Sequence, residues 1–175
     1  MSVARKVKMF MEFTHLHKHF QTYFEVVPAV TDELVLEAQR IRHDVYCREL
    51  GWEPIHPEGI EKDDFDKHSL HCLLKSRTRG KYIGCIRLVL PSDSSSGQRL
   101  PFQETCRDVL EVGHPDPVAL ASRQVAEVSR LAIVSDYRRR RNEQGRPVSI
   151  GEQAEIKEER RKFPYIPVAL YLGML

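Results

Sequence analysis

Apolar residues recur along this chain with two different periods, and these periods mark its predicted helices and strands. Thr31 can cap a helix in which apolar residues return every three or four positions over residues 34–45. That spacing places the apolar side chains on one stripe, so we predict a helix that runs to about Cys47 and buries the stripe. The breaker sequence Gly51 to Pro54 follows.

Two apolar runs, Leu70 to Lys75 and Tyr82 to Leu90, flank the turn sequence 78–80 and predict a β-hairpin. The period of two places on one face of the second strand Ile83, Cys85, Arg87 and Val89. Arg87 is then a cation among apolar neighbours, which is costly unless it meets an anion.

Val125 to Val134 predicts a further strand, and this strand carries Glu127 and Arg130. Ionised side chains in strand centres are expensive unless they pair. Regular alternation puts the two on opposite faces, so both reach one site only if the strand bulges. Structural ion pairing alone is the alternative explanation.

Both ends of the chain have segments that can pack on a domain. Residues 1–24 mix bases and aromatics at helical spacing, which predicts a helical segment ahead of a domain over 25–175. Residues 142–162 are polar, and we expect them to be mobile. The apolar segment Ile166 to Leu175 starts like a buried helix and stops within its apolar face, so we expect a chain truncated at its C-terminus.

Composition narrows the function classes. The 175 residues are 41% hydrophobic and 30% charged, as in globular proteins. The longest apolar run has about ten residues against the ~20 of a spanning helix, and no apolar signal segment opens the chain, so we expect a cytoplasmic protein. A net charge of +2 gives no indication of nucleic-acid binding. The four cysteines form no CxxC pair, so we expect reduced thiols and no metal site.

The densest group of candidate chemical residues comprises Arg42, Tyr46, Trp52, Glu61, Asp63, Phe65 and Asp66. Carboxylates this close repel one another, so they must be solvated, paired with cations or positioned to hold a cationic substrate. A solvated acidic loop is the plain alternative.

These residues belong to a series that resembles the motifs of the acyl-homoserine-lactone synthases, the LuxI-type autoinducer synthases, over about residues 25–135. The series is Arg42-x3-Tyr46-x5-Trp52, Glu61-x-Asp63-x-Phe65-Asp66, Gly84-Cys85-Ile86-Arg87-Leu88 and Glu127-Val128-Ser129-Arg130-Leu131-Ala132. The chain departs from those synthases at Tyr46, Glu49 and Pro54, where Phe, a basic or amide residue and an aliphatic residue are usual. The sequences of residues 41–47, 65–69, 87–91 and 125–132 are more similar to those of the exosortase-associated (PEP-CTERM system) acyltransferases, relatives of the N-acyl amino acid synthases.

The resemblance implies a GNAT-like α/β fold, with a central mixed, mostly antiparallel sheet flanked by helices. It also implies transfer of a fatty acyl group from an acyl-carrier-protein or acyl-CoA thioester to the amine of an amino acid or similar small molecule. The thioester is a co-substrate, and no tightly bound cofactor is expected.

Specific roles follow from the resemblance. The expected catalytic residues are Glu127, Asp63, Asp66, Arg87 and Arg130. Asp63 or Asp66 would hold the acceptor ammonium, and Glu127 would accept a proton directly or through water. The resemblance also implies one polar network that orders the loop over the acceptor site, formed by Arg42, Asp63, Asp66, Arg87, Glu127 and Arg130. Arg87 or Arg130 would hold a carboxylate or this network itself. The expected substrate-binding residues are Arg42, Trp52, Phe65 and Ser129, although Trp52 and Phe65 equally fit ordinary core aromatics.

Four consecutive bases, Arg138, Arg139, Arg140 and Arg141, follow the predicted Glu127 strand. GNAT proteins place backbone amides and basic side chains at this point against the pantetheine pyrophosphate. The glycine-rich loop that would favour CoA is missing, and the run suits docking of an acidic carrier protein. A solvated basic tract is the alternative, and nucleic-acid binding is disfavoured because no aromatic residues interleave the run.

Two other functions remain open at this point. One is an acyl-homoserine-lactone synthase that uses S-adenosylmethionine as its acceptor. The other is a non-catalytic, truncated binding module, for which homodimerisation through the apolar segment at 166–175 is the expected compensation.

Overall fold

A four-stranded antiparallel sheet in the order β1-β2-β3-β4 organises the chain. The structure is a computed structural model that describes residues 18, 20–91, 100–106, 125–138 and 166–173. The strands are β1 (Phe24–Pro28), β2 (Ser69–Ser76), β3 (Lys81–Val89) and β4 (Glu127–Ile133). The predicted hairpin and the predicted Glu127 strand are confirmed as β2, β3 and β4.

The described helices are α1 (Asp32–Arg42), α2 (Pro101–Thr105), α3 (Ser135–Arg138) and α4 (Ile166–Leu172). A π-helical segment, His43–Glu49, continues directly from α1, and a 3-10 helix covers Asp64–His68. The predicted cap of α1 is confirmed, because the Thr31 hydroxyl accepts a hydrogen bond from the Leu34 amide at 3.4 Å. Within the described residues, no helix is both long and apolar enough to cross a membrane.

The two faces of the sheet bury different helices. The stripe of α1 and of the π-helical segment packs on one face, where Ala38, Ile41 and Val45 lie with Leu73, Cys85 and Ala132. On the other face α4 packs through Ile166 and Leu170, together with Phe24, Leu74, Ile86 and Tyr137. The expectation that residue 166 opens a buried helix is therefore confirmed. The polar stretch 142–162 lies outside the described residues.

The strand β1 was missed by the sequence reasoning, which assigned Phe24 to the N-terminal helical segment. Phe24 is fully buried and pairs with Ser76 of β2, and Lys18 and residues 20–23 are helical just before it. A five-residue strand is too short to show a clear period, and its pairing partner lies about 50 residues away along the chain.

The predicted side of β3 was wrong for Ile83, which was expected on the face of Cys85 and Arg87. Opposite β2 the register passes from Gly84 to Tyr82 while β2 advances by a single residue, so Ile83 is the extra residue of a β-bulge. The bulge turns Ile83 to the face that carries Ile86, away from Cys85. Arg87 keeps the predicted face with Cys85, whose β4 partner is Ala132.

Candidate active site

Arg42, the last residue of α1, is a fully buried cation. Its Nη1 atom donates to Asp66 Oδ1 at 2.7 Å, and its Nε atom donates to Glu61. The helix brings Arg42 to the sheet because it is one step from the buried Ile41 on the packed side of α1. Asp66 and Glu61 supply the anions that such a buried guanidinium requires.

A capping box fixes the positions of Asp63 and Asp66 in the acidic segment, residues 61–66. The Asp63 carboxylate accepts from the Phe65 amide at 3.0 Å, and the Asp66 carboxylate accepts from the Asp63 amide at 3.1 Å. These bonds start the 3-10 helix and turn both carboxylates inward, whereas Asp64 between them is exposed and pairs with Lys67. The alternative of a wholly solvated acidic loop is therefore wrong for Asp63 and Asp66.

Arg87 of β3 has the anions that its strand position requires. Its Nη1 atom contacts Asp63 Oδ1 at 2.5 Å and Asp66 Oδ1 at 2.6 Å. Its Nε atom donates to the Ser129 hydroxyl of β4 at 3.1 Å, since Ser129 is its cross-strand partner. Phe65 lies beside the guanidinium, with its ring centroid 6.0 Å away.

The bulge in β4 that was the condition for a shared site is present, and it places Arg130 in the same cluster. Between the pairs Cys85–Ala132 and Arg87–Ser129, β4 carries one extra residue, and Arg130 has a left-handed φ of 51°. Three carboxylates surround its Nη2 atom, at 3.1, 3.3 and 3.5 Å, and belong to Glu61, Asp63 and Glu53. Sequence reasoning missed Glu53; its place directly after Trp52 was the available signal.

Glu127 lies outside this group of ion pairs. It is on the face of Arg87, since Ser129 and Glu127 pair with Arg87 and Val89, but its carboxylate accepts from the Phe102 amide of α2 at 2.8 Å. Among the described residues no ion pair joins it to an arginine. The expectation of one network that includes Glu127 is thus met only in part.

The ion-pair cluster consists of the side chains Arg42, Glu53, Glu61, Asp63, Asp66, Arg87 and Arg130. Burial favours the neutral form of Asp66, but Arg42 and then Arg87 outweigh it and lower the pKa of this carboxyl to about 2. Burial likewise opposes the charge of Arg42, and Glu61 and Asp66 more than offset it and raise its pKa. Asp66 and Arg42 are therefore both charged at neutral pH.

An aromatic pair lies beside the exposed edge of the cluster. The Tyr46 and Trp52 rings stack with their centroids 5.9 Å apart, and the Arg130 guanidinium lies 5.8 Å from the Tyr46 ring centroid. The Tyr46 hydroxyl donates to the Leu131 carbonyl at 2.8 Å, which ties the π-helical segment to the bulged strand. Trp52 is 63% exposed, so it is not a core aromatic.

Arg138 has a partner that conflicts with its expected docking role. Its Nη2 atom contacts Glu49 Oε2 at 2.6 Å, and its side chain is only 7% exposed. Glu49 also accepts from the Ser135 amide. The unusual acidic residue at 49 thus holds Arg138 and leaves it little surface for a carrier protein. Arg139, Arg140 and Arg141 lie outside the described residues.

The four cysteines are free thiols in the structure. Burial raises the pKa of Cys85 to about 12, and its thiol donates to the Ala38 carbonyl at 3.5 Å. Such a thiol is a poor nucleophile, so Cys85 behaves as a small core residue. Within the described part of the chain, no group of side chains has the composition of a metal site.

Comparison with known proteins identifies the class that this fold and cluster define. Residues 41–146, more than half of the chain, match the family described as acetyltransferase (GNAT) domain. The chain belongs to this family.

Named relatives narrow the class further. An acyl-homoserine-lactone synthase of Vibrio anguillarum is 29% identical over 98 residues, which cover 56% of this chain and 46% of that protein. A synthase of the same description from Pseudomonas fluorescens is 32% identical over 78 residues, or 43% of this chain and 37% of its own. The chain thus spans less than half the length of these curated relatives. No solved structure matches it.

Proposed function

We propose that this protein is an N-acyltransferase that moves a fatty acyl group from an acyl-carrier-protein or acyl-CoA thioester to the amine of an amino acid or similar small molecule. The observation that carries the proposal is the ion-pair cluster, built from α1, the 3-10 helix, β3, β4 and the loop after the π-helical segment. Membership of the GNAT family and the named relatives support it.

Direct transfer requires a bound amine, a route for its proton and a polarised thioester carbonyl. Both oxygens of Asp66 accept hydrogen bonds from the protein, so Asp66 orders the site. Asp63 and Glu53 are more exposed, with side-chain exposures of 25% and 37%, and we assign the acceptor ammonium to these two carboxylates. Trp52 supplies the exposed ring beside them.

The proton acceptor that we propose for the attacking amine is Glu127. Glu127 is half-buried, and its carboxylate accepts from the Phe102 amide on the sheet face that carries Arg87 and Ser129. Ser129 and Phe65 position Arg87, and Arg42 holds Asp66 through their ion pair. The expected substrate-binding roles of Arg42, Phe65 and Ser129 are therefore indirect in this proposal.

A second candidate acceptor is S-adenosylmethionine, because the relatives are described as acyl-homoserine-lactone synthases. The sequences of residues 41–47, 65–69, 87–91 and 125–132 instead support the exosortase-associated branch, whose acceptors are amino acids or related amines. We propose an acyl carrier protein as donor, cytoplasmic like the enzyme, with docking by Arg139, Arg140 and Arg141.

A thiol-release assay with product masses tests the proposal. The full chain is offered long-chain acyl carrier protein or acyl-CoA, with pooled amino acids or S-adenosylmethionine. We expect release that depends on both donor and amine. Asp63→Asn should lower kcat/KM at least about a hundredfold, since it removes charge from the ammonium site. The matched control Asp64→Asn, one residue away and exposed, should keep wild-type rates.

The outcomes separate the candidates. An N-acyl amino acid among the products supports the amino acid acceptor, and an acylated lactone identifies S-adenosylmethionine. If a cooperatively folded chain releases no thiol with any combination, the function is wrong and a binding module is the better description. Equal losses in both aspartate variants would refute the site assignment alone.

A further inference from the structure

Four bases gather where a short turn joins β2 to β3. They are Lys75, Arg77, Arg79 and Lys81, and the sequence has no Asp or Glu within residues 67–92. The side chains of Arg77 and Arg79 are 48% and 41% exposed, and Lys81 is exposed as well. We call these four side chains the basic hairpin end.

Hydrogen bonds hold this turn in a defined conformation. The Gly80 amide donates to the Ser76 carbonyl at 2.8 Å, and the Arg79 amide donates to the Ser76 hydroxyl at 3.3 Å. The Arg77 amide donates to the Tyr23 carbonyl at 2.8 Å, which ties the turn to the chain just before β1. The bases are therefore presented by an ordered backbone, so a partner would not have to order the turn on binding.

Nearby acids offset only part of the positive charge. Among the described residues, Glu25 Oε2 lies 3.7 Å from Arg77 Nη2, and Asp136 Oδ2 lies 3.6 Å from Arg79 Nη1. Both distances exceed that of a hydrogen bond, and ion pairs this exposed are weak. Four bases thus face two carboxylates in the described part of the chain, which leaves two positive charges in excess.

The basic hairpin end adjoins the arginine run to which the proposed function assigns docking. The Arg79 guanidinium lies 5.1 Å from the ring centroid of Tyr137, a residue of α3. The run at residues 138–141 begins with the next residue along the chain. Positive charge from two separate segments of the sequence therefore meets at this end of the sheet.

The same end is well separated from the ion-pair cluster. Lys81 and Arg87 are six residues apart on β3, which corresponds to about 20 Å at the rise of a strand. A carrier protein presents its acyl thioester at the tip of an extended phosphopantetheine arm. Its body therefore docks at a distance from the carbon that reacts, and the separation along β3 suits such a donor.

We propose that the basic hairpin end is a docking surface for an acidic acyl carrier protein, and that it extends the surface formed by residues 139–141. This inference rests on the proposed acyltransferase function. Complementary charge steers the encounter with an acidic helix, and the two guanidinium groups suit the phosphate of the prosthetic arm. A lipid surface is disfavoured, since residues 77–81 include no apolar side chain that could enter a bilayer.

Charge reversal tests this surface. In the double variant Arg79→Glu with Lys81→Glu, kcat/KM for long-chain acyl carrier protein should fall at least about tenfold at low salt, through KM, because opposite charges become like charges. The loss should shrink as salt is added. Long-chain acyl-pantetheine has no carrier protein, so the variant should keep wild-type kcat and KM with that donor.

Matched variants control for charge and for folding. Arg40→Glu with Arg48→Glu makes the same change in net charge at two exposed bases of α1 and the π-helical segment, and should stay within about twofold of the wild type with both donors. Arg79→Gln with Lys81→Gln removes charge without placing an acid beside Asp136. It should show a smaller loss in the same direction, and it replaces the reversal if that variant does not fold.

Binding of the holo carrier protein, measured by fluorescence anisotropy at low salt, gives a readout that needs no turnover. The dissociation constant should rise at least about tenfold in the hairpin reversal and not in the α1 control. Equal effects in the two variants, or an equal loss with acyl-pantetheine, overturn the inference. Binding to phosphatidylglycerol vesicles that the hairpin reversal abolishes, with carrier binding unchanged, would assign the surface to a membrane and also overturn it.

Failure of the inference and failure of the proposed function are distinguishable. If the wild type transfers acyl groups from acyl-CoA or acyl-pantetheine but does not bind the carrier protein, the inference fails and the acyltransferase function stands. If the wild type transfers no acyl group from any donor, the proposed function fails. The anisotropy comparison then still decides whether the basic hairpin end binds the carrier protein.

Discussion

Arg130 has a strained backbone conformation that places its guanidinium in the ion-pair cluster. Its φ of 51° lies in the left-handed region, where a residue with a Cβ atom pays about 1 kcal/mol more than glycine does. The bulge that requires this angle also directs the guanidinium to Glu61, Asp63 and Glu53. Arg130 is therefore strained in the place where the cluster needs a third cation.

This strain predicts an unusual order of stabilities at residue 130. Both Arg130→Gly and Arg130→Ala remove the ion pairs, but glycine also relieves the backbone, so the glycine variant should be about 1 kcal/mol more stable than the alanine variant. Urea unfolding at neutral pH measures the difference.

Leu131, the next residue on β4, supplies the control for that comparison. It is partly exposed and has no left-handed φ, so glycine there should be less stable than alanine by about 0.5–1 kcal/mol. The same order at both positions would mean that residue 130 is not strained.

At the residue scale the sequence predicts which side chains are chemically important better than it predicts their partners. Arg87 in a strand demanded an anion, and Asp63 and Asp66 were the carboxylates that met it. Glu53 was missed, because its contact with Arg130 depends on β4 lying beside it in space. A sequence period cannot express such contacts.

At the scale of elements, β3 and β4 approach each other unusually closely at Gly84. A Cβ atom at this position would lie 2.8 Å from the Ala132 carbonyl oxygen and 3.2 Å from Ile133 Cγ1. The first neighbour is backbone, so the strands must separate to make room. This approach holds the register on which the Arg87–Ser129 pairing depends.

Gly84→Ala should therefore destabilise the protein by about 1–3 kcal/mol, as overpacking does in other cores. Thermal unfolding checks the loss. Gly80→Asn is the matched control in the β2–β3 turn, where the φ of 64° suits asparagine and no atom lies within 4 Å of a new Cβ. A loss at Gly84 no larger than that at Gly80 would contradict the close approach.

The elements were predicted correctly where a periodic pattern extends over many residues. They were predicted wrongly where the pairing of neighbouring strands determines the structure. The helix capped at Thr31, the hairpin strands and the Glu127 strand all follow from their patterns. The bulge at Ile83 and the strand β1 do not, because both are set by how neighbouring strands pair. A bulge in β4 was expected only as the condition for Glu127 and Arg130 to reach one site, and although the bulge is present, Glu127 lies outside the ion-pair cluster.

At the scale of the whole molecule, the ion-pair cluster joins α1, β3, β4 and the acidic segment, so its protonation is coupled to global stability. Asp66 is the link between Arg42 and Arg87, and its pKa of about 2 lies below the unfolded value of about 3.9. A carboxyl whose pKa is lower in the folded protein than in the unfolded protein stabilises the fold at pH values above its unfolded pKa. That stabilisation is lost as the pH falls through the folded value.

The stability of the wild type should therefore fall between about pH 4 and pH 2, and Asp66→Asn should remove much of that slope while lowering stability at neutral pH. Urea unfolding at half-unit pH steps measures both effects. Asp64→Asn is the control, because Asp64 pairs only with Lys67 at the surface and should leave the slope nearly unchanged. If D66N is too unstable to measure, proton uptake on acid unfolding of the wild type replaces it. A wild-type curve that is flat from pH 4 to pH 2 would show that the aspartate does not link α1 to the sheet.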